Sequence, residues 1–157
     1  MKKEKNSLLS PISILAALSM TANGAKSETL EQMEEVFGLS VDSLNKELSA
    51  YMEICDRSDD YKADIANAIW FTEAEHFTVI PAFLQTNANY YNADIYAAPF
   101  DDSTVADINH WVNWKTDGMI PEAINSIDSS IVMYLINAVC FDAQWKEKYT
   151  KSASMHI

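Results

Sequence analysis

Three kinds of side chain in this sequence could do chemistry: histidines near carboxylates, two thiols, and an amide placed where apolar residues dominate. In "EAEH" Glu73 lies three positions before His76, a spacing used in carboxylate-bridged metal sites. Such a site needs further pairs of the same kind on facing helices. His110 and His156 stand near neither each other nor a cysteine in a ligand spacing, so 73 to 76 reads as a solvated turn and no metal is expected. Cys55 and Cys140 are too few for a disulfide framework and wrongly grouped for zinc, and both read as free thiols. The acidic positions, among them Glu34, Glu35, Asp59, Asp60, Asp101 and Asp102, match no calcium-loop spacing and read as solvated surface. The chain has no Gly-x-Ser-x-Gly elbow, no phosphate-cradling glycine loop and no His-Glu-x-x-His. No residue is a candidate catalyst, so we expect a protein that is not an enzyme and needs no cofactor.

The amide is Asn137, in "LINAVCF". A buried amide without partners costs about 1 to 3 kcal/mol, so an Asn in a doubly apolar strand should be hydrogen-bonded to something specific. Ser10 and Ser13, on an apolar N-terminal helix, are the partners of suitable kind. The alternative is that Asn137 sits wet at a strand edge.

The elements that must position these groups follow from pattern. After an extended stretch from Asn6 to Leu9, Ser10 can cap a helix with Pro11 at its first position, running to Met20. Its apolar residues go nearly all the way round, which predicts a helix enclosed by protein. Thr29 with Gln32 suggests a capping box for a second helix, with Leu30, Met33, Val36 and Phe37 on one face and Gly38 as its stop. Val41, Leu44, Leu48, Met52 and Cys55 keep a helical period for a third. "RSDDYKAD" reads as a charged loop and "IANAIWF" as a strand. Pro81 opens a helix with Phe83, Leu84, Ala88 and Tyr91 inward, and "ADIYAAPF" is a strand ended by Pro99. Asp102 or Ser103 should cap a helix through Val105, Ile108 and Val112 that stops at Gly118, with Trp111 and Trp114 covering the sheet. "IVMYLINAVCF" hardly alternates, which predicts a central strand covered on both faces. "NAIWF" and "NAVCF" share Asn-Ala-aliphatic-x-Phe and read as strands of one sheet in similar surroundings. The fold class is α+β, a mixed sheet packed with helices, without the glycine-rich first turn of a doubly wound fold.

With 157 residues and 48% hydrophobic side chains, one core in one unit is expected. A net charge of -12 opposes nucleic acid and anionic lipid. No apolar run is long enough to span a bilayer. Lys2, Lys3 and Lys5 before an apolar stretch imitate a signal peptide, but Pro11, the interleaved serines and "MTANGA" do not suit one.

The sequence resembles the serpins. "NSLLSPISILAALSMTANGAKSETLEQM" is similar to the family's opening strand and helix through Ser10, Pro11, Ser13, Leu18, Gly24 and Thr29. "INHWVNWKTDGMI" resembles the helix over its main sheet through Asn109, Val112, Thr116, Gly118 and Ile120, and "LINAVCFDAQWKEKY" its central strand through Asn137, Phe141 and Trp145. The likeness runs from about Asn6 to Tyr149. It implies part of the main sheet, sheet A, in a single partial domain over 1–157 that lacks the family's first helix and the C-terminal half with the reactive loop. It also implies a suicide inhibitor of serine or cysteine proteases: a protease cuts the exposed loop, which inserts into the main sheet as a new strand and distorts the acyl-bound enzyme. Such a chain cannot inhibit alone, and it would need the rest of the fold or self-associate. By the same likeness Ser10, Ser13 and Asn137 correspond to the "shutter" beneath strands that part, Trp145 corresponds to the "breach" where insertion begins, and the compartment would be extracellular. "FDAQW" departs from the usual Phe-Lys-Gly-x-Trp at Asp142 and Ala143. A non-inhibitory serpin acting as carrier, chaperone or structural protein is the alternative.

Overall fold

The computed structural model describes residues 9–56 and 61–143. Its strands are β1 (Tyr61–Thr72), β2 (Asp94–Ala98) and β3 (Met133–Ala143), in the spatial order β2-β1-β3. β2 lies parallel to β1, from Ala68 opposite Asp94 to Thr72 opposite Ala98. β3 is antiparallel to β1 from Tyr61 opposite Ala143 to Phe71 opposite Met133. Five helices accompany them: α1 (Pro11–Ala22), α2 (Ser27–Phe37), α3 (Val41–Asp56), α4 (Pro81–Tyr91) and α5 (Asp102–Lys115).

Alternate residues of each strand enter two separate cores, as the twofold period of a strand requires. Ile65, Ile69 and Phe71 of β1 join Met133 and Leu135 of β3 against Met20 of α1, Leu44, Leu48 and Met52 of α3 and Tyr91 of α4. On the opposite face Ala68 and Trp70 join Tyr134 and Ile136 against Ile108, Trp111 and Val112 of α5. Helices on both faces explain why these strands carry so little polar alternation.

Several expectations need correction. β1, not β3, is central among the described strands, and β3 has a strand on one side only. β1 also begins earlier than its apolar run, because Tyr61 to Asp64 of the charged segment pair with Cys140 to Ala143. α1 is not enclosed all round: Ile14 and Leu18 are 50% and 44% exposed. α2 starts at Ser27 after Lys26, with no side-chain cap; Gln32 instead donates to Glu28 one turn back, at 3.1 Å, and Val36 lies on the exposed side. α5 is capped one residue earlier than expected, by Asp101, whose Oδ1 accepts from Ser103 N at 2.9 Å and Thr104 N at 3.2 Å. The extended backbone of Asp101 aims its carboxylate at those amides and leaves Asp102 as the first helical residue. Trp111 packs on the sheet, whereas Trp114 is 65% exposed.

The expected face of α3 is present in full, with Val41, Leu44, Leu48, Met52 and Cys55 all buried. Gly38 closes α2 in the left-handed region at φ 72°, its N–H donating to Glu34 O at 2.9 Å. After α5, Asn109 fixes the chain that follows: its Nδ2 donates to Ile124 O at 2.7 Å and its Oδ1 accepts from Ala123 N at 2.8 Å.

Candidate functional site: a polar relay beneath the β1–β3 pair

Position 137 is tied to its surroundings through both ends of its amide. The antiparallel register sets Asn137 of β3 directly opposite Asn67 of β1. Asn137 Nδ2 donates to Asn67 Oδ1 at 2.8 Å, and Asn67 Nδ2 donates in turn to the carbonyl of Tyr91, also at 2.8 Å, where α4 ends. At the other end the Ser13 hydroxyl of α1 donates to Asn137 Oδ1. The three oxygen-bound contacts therefore run one way, from α1 through β3 and β1 to α4, and Asn67 Nδ2 also reaches Met52 Sδ of α3 at 3.8 Å.

Burial differs along the relay. Asn67 is only 2% exposed, while Ser13 and Asn137 are half-buried. Ser10 does different work: its Oγ caps α1 by accepting from Ser13 N at 3.4 Å, which holds the first turn that carries Ser13. Trp145 lies outside the described residues, as does His156.

This arrangement contains no nucleophile paired with a base. What it can do is hold register: sliding β3 by one residue along β1 would turn Asn137 to the α5 face, taking from Asn67 Oδ1 its Asn137 donor and from the Ser13 hydroxyl its Asn137 acceptor. Glu73 and His76 are exposed, and among the described residues no group of three His, Cys, Asp or Glu could hold a metal ion. Cys55 and Cys140 are both buried, and the Cys140 Sγ lies 3.7 Å from Met119 Sδ. No helix among the described residues is long and apolar enough to cross a membrane.

Asn67 was absent from the sequence-derived set, although the shared "NAIWF" and "NAVCF" carried the signal. A second amide cluster was missed altogether. Asn23 Nδ2 donates to Asn87 Oδ1 at 3.0 Å, Asn45 Nδ2 donates to Asn23 Oδ1 at 2.8 Å, and the Tyr91 hydroxyl donates to Asn45 Oδ1 at 2.6 Å. The cluster joins the end of α1 to α3 and α4, and Asn45 at the helical period of Leu44 and Leu48 was its trace in the sequence.

Tyr91 is fully enclosed, and burial pushes its phenol up to about 12, against a smaller opposing effect of a hydrogen bond with Ser19. A raised folded-state value means that the stabilisation is complete below the unfolded value near 10 and is lost as pH rises toward about 12. We expect stability to fall in that alkaline window, and Tyr91→Phe to flatten the fall while costing about 0.5 to 1.5 kcal/mol at neutral pH through the lost hydrogen bond to Asn45 Oδ1, which keeps Asn23 Nδ2 as a second donor at 3.2 Å. Urea midpoints across pH check both.

The family model described as "Serpin (serine protease inhibitor)" matches residues 1–156. The chain belongs to the serpins. Leukocyte elastase inhibitor A of Rattus norvegicus is 31% identical over 153 residues, which cover 93% of this chain and 40% of that relative. Among solved structures, the thermophilic serpin tengpin is similar in its latent state at 51% identity with a TM-score of 0.91, covering 98% of this chain and 42% of that one. Its native state gives 50% and 0.87, covering 98% and 40%. The helices and three-stranded mixed sheet are thus a partial N-terminal serpin fold, and the chain spans about two fifths of the length of these relatives.

Proposed function

We propose that residues 1–157 form the N-terminal part of a single serpin domain whose whole acts as an inhibitor of serine or cysteine proteases by loop insertion. In this reading Ser13, Asn137 and Asn67 form the latch beneath the sheet, Ser10 supports it from the helix cap, and Trp145 belongs to the region where insertion starts. No residue of the chain is assigned a catalytic step. One observation carries the reading: a directional hydrogen-bond relay spans β1 and β3 next to an edge of β3 that has no strand beside it among the described residues. That edge offers backbone donors and acceptors to an incoming strand, and the relay fixes the register of the strand that receives it.

The test is to mix the full-length protein with a panel of chymotrypsin-like, subtilisin-like and papain-like proteases. A complex that survives boiling in detergent, formed in step with loss of protease activity, is the expected result. Cleavage of the reactive loop without any such complex across the panel would overturn the inhibitory reading.

A further inference from the structure

The amide cluster at the end of α1 includes a dipeptide that can modify itself. Of the three glycines in the chain only Gly24 follows an asparagine, Asn23. Glycine has no Cβ, so its nitrogen approaches the preceding side-chain amide with less hindrance than that of any other residue. Packing favours glycine here: a Cβ at position 24 would lie 3.2 Å from the Phe83 ring and 3.4 Å from Thr21 O. Gly24 is exposed and Asn23 half-buried, so water reaches the pair.

Two sets of contacts oppose the reaction. The Asn23 side chain is held at three points: Nδ2 donates to Asn45 Oδ1 at 3.2 Å and to Asn87 Oδ1 at 3.0 Å, and Oδ1 accepts from Asn45 Nδ2 at 2.8 Å. Asn87 is itself fixed, its Nδ2 donating to Met20 O at 3.3 Å and to Phe83 O at 3.1 Å. The backbone is held as well. Asn23 closes α1 in helical geometry, φ -61° and ψ -19°, and the Gly24 N–H donates to Thr21 O at 3.0 Å. A nitrogen whose proton is engaged in this way is a poor nucleophile, and a side chain tied to α3 and α4 is not free to turn toward it.

We propose that Asn23 is a deamidation site whose rate is set by the amide cluster, and that its conversion opens the cluster irreversibly. In the reaction the Gly24 nitrogen bonds to Asn23 Cγ and gives up its proton, the Cγ–Nδ2 bond breaks, and ammonia leaves with that proton. Water then adds to one of the two carbonyls of the resulting ring and breaks its bond to nitrogen, giving aspartate through one carbonyl and isoaspartate through the other; nothing is oxidised or reduced. Aspartate replaces a group that donates twice by a carboxylate that only accepts, facing two oxygens that also accept, Asn45 Oδ1 and Asn87 Oδ1. Isoaspartate also lengthens the main chain by one carbon where α1 ends. Product accumulates with the time the cluster spends open, so the site records local opening of α1 from α3 and α4.

The full-length protein is incubated at mildly alkaline pH with and without guanidinium chloride. Mass spectrometry of the peptide containing residue 23 follows the replacement of NH2 by OH, and released ammonia is measured in parallel. Conversion at Asn23 is expected in denaturant and should be at least about tenfold slower in the folded protein. Asn45→Ala removes two of the three contacts that hold the side chain and should speed conversion severalfold under folding conditions. Ile108 lies in the core on the other face of the sheet, so Ile108→Val or Ile108→Ala, whichever matches Asn45→Ala in melting temperature, should convert at the parent rate. Asn23→Asp should melt below the parent. Absence of conversion in denaturant, equal rates with and without it, no acceleration in Asn45→Ala, equal acceleration in the matched Ile108 variant, or an Asn23→Asp variant that melts with the parent would each overturn the proposal.

Discussion

Replacing Asn67 by alanine is expected to destabilise the protein more than any other single change in the relay. The substitution leaves two groups without partners: the Tyr91 carbonyl that accepts from Asn67 Nδ2, and the Asn137 Nδ2 that donates to Asn67 Oδ1. An orphaned buried polar group costs about 1 to 3 kcal/mol, and the Tyr91 carbonyl lies at the better-enclosed end, so a loss of about 2 to 4 kcal/mol follows. Asn137→Ala should cost less, since position 137 is half-buried and water can reach part of what it leaves behind. Urea denaturation of the full-length protein measures both. The double variant supplies the coupling: if the amides act as one relay, the two losses together fall short of their sum by about 0.5 to 3 kcal/mol. Strict additivity would show that the two amides contribute separately, and the latch reading of the pair would fail with it.

Faces were legible in the sequence, and edges were not. The period of α3 announced its buried side residue by residue, because an amphipathic helix writes its orientation into its own composition. The apolar run around Asn137 announced cover on both faces of β3, and cores on both faces supply it. Composition reports what lies above and below a strand but says nothing of what lies beside it, where backbone groups make the contacts. That is why β3 read as central when, among the described strands, β1 holds that place. The same blindness to pairing hid Asn67: the repeated Asn-Ala motif placed two amides on two strands, and only the register brings them opposite each other. In α1 an all-round apolar pattern suggested enclosure, yet Ile14 and Leu18 point away from both cores. Helix starts failed for a local reason. At Asp101 the choice among three adjacent capable residues, Asp101, Asp102 and Ser103, depended on backbone angles set by the preceding Pro99-Phe100 turn.

Expressed by itself, the 157-residue chain is expected to associate. β3 pairs with β1 along eleven positions and has no strand on its other side among the described residues. Edges that remain monomeric usually carry lysine, proline or a bulge, or are short. Along Tyr134 to Val139 there is neither lysine nor proline, and the side chains are apolar apart from Asn137 and the Tyr134 hydroxyl. Strand addition by a second chain would pair the open edge and cover apolar surface such as Val132, and both gains favour association over a solvated edge. Sedimentation velocity over a wide concentration range should therefore show species that grow with concentration, and amide exchange at the open edge of β3 should slow as they form. A cooperatively melting monomer of the isolated chain at every concentration would mean that the β3 edge is closed within the chain itself, and the proposed site of strand entry would have to move elsewhere in the sheet.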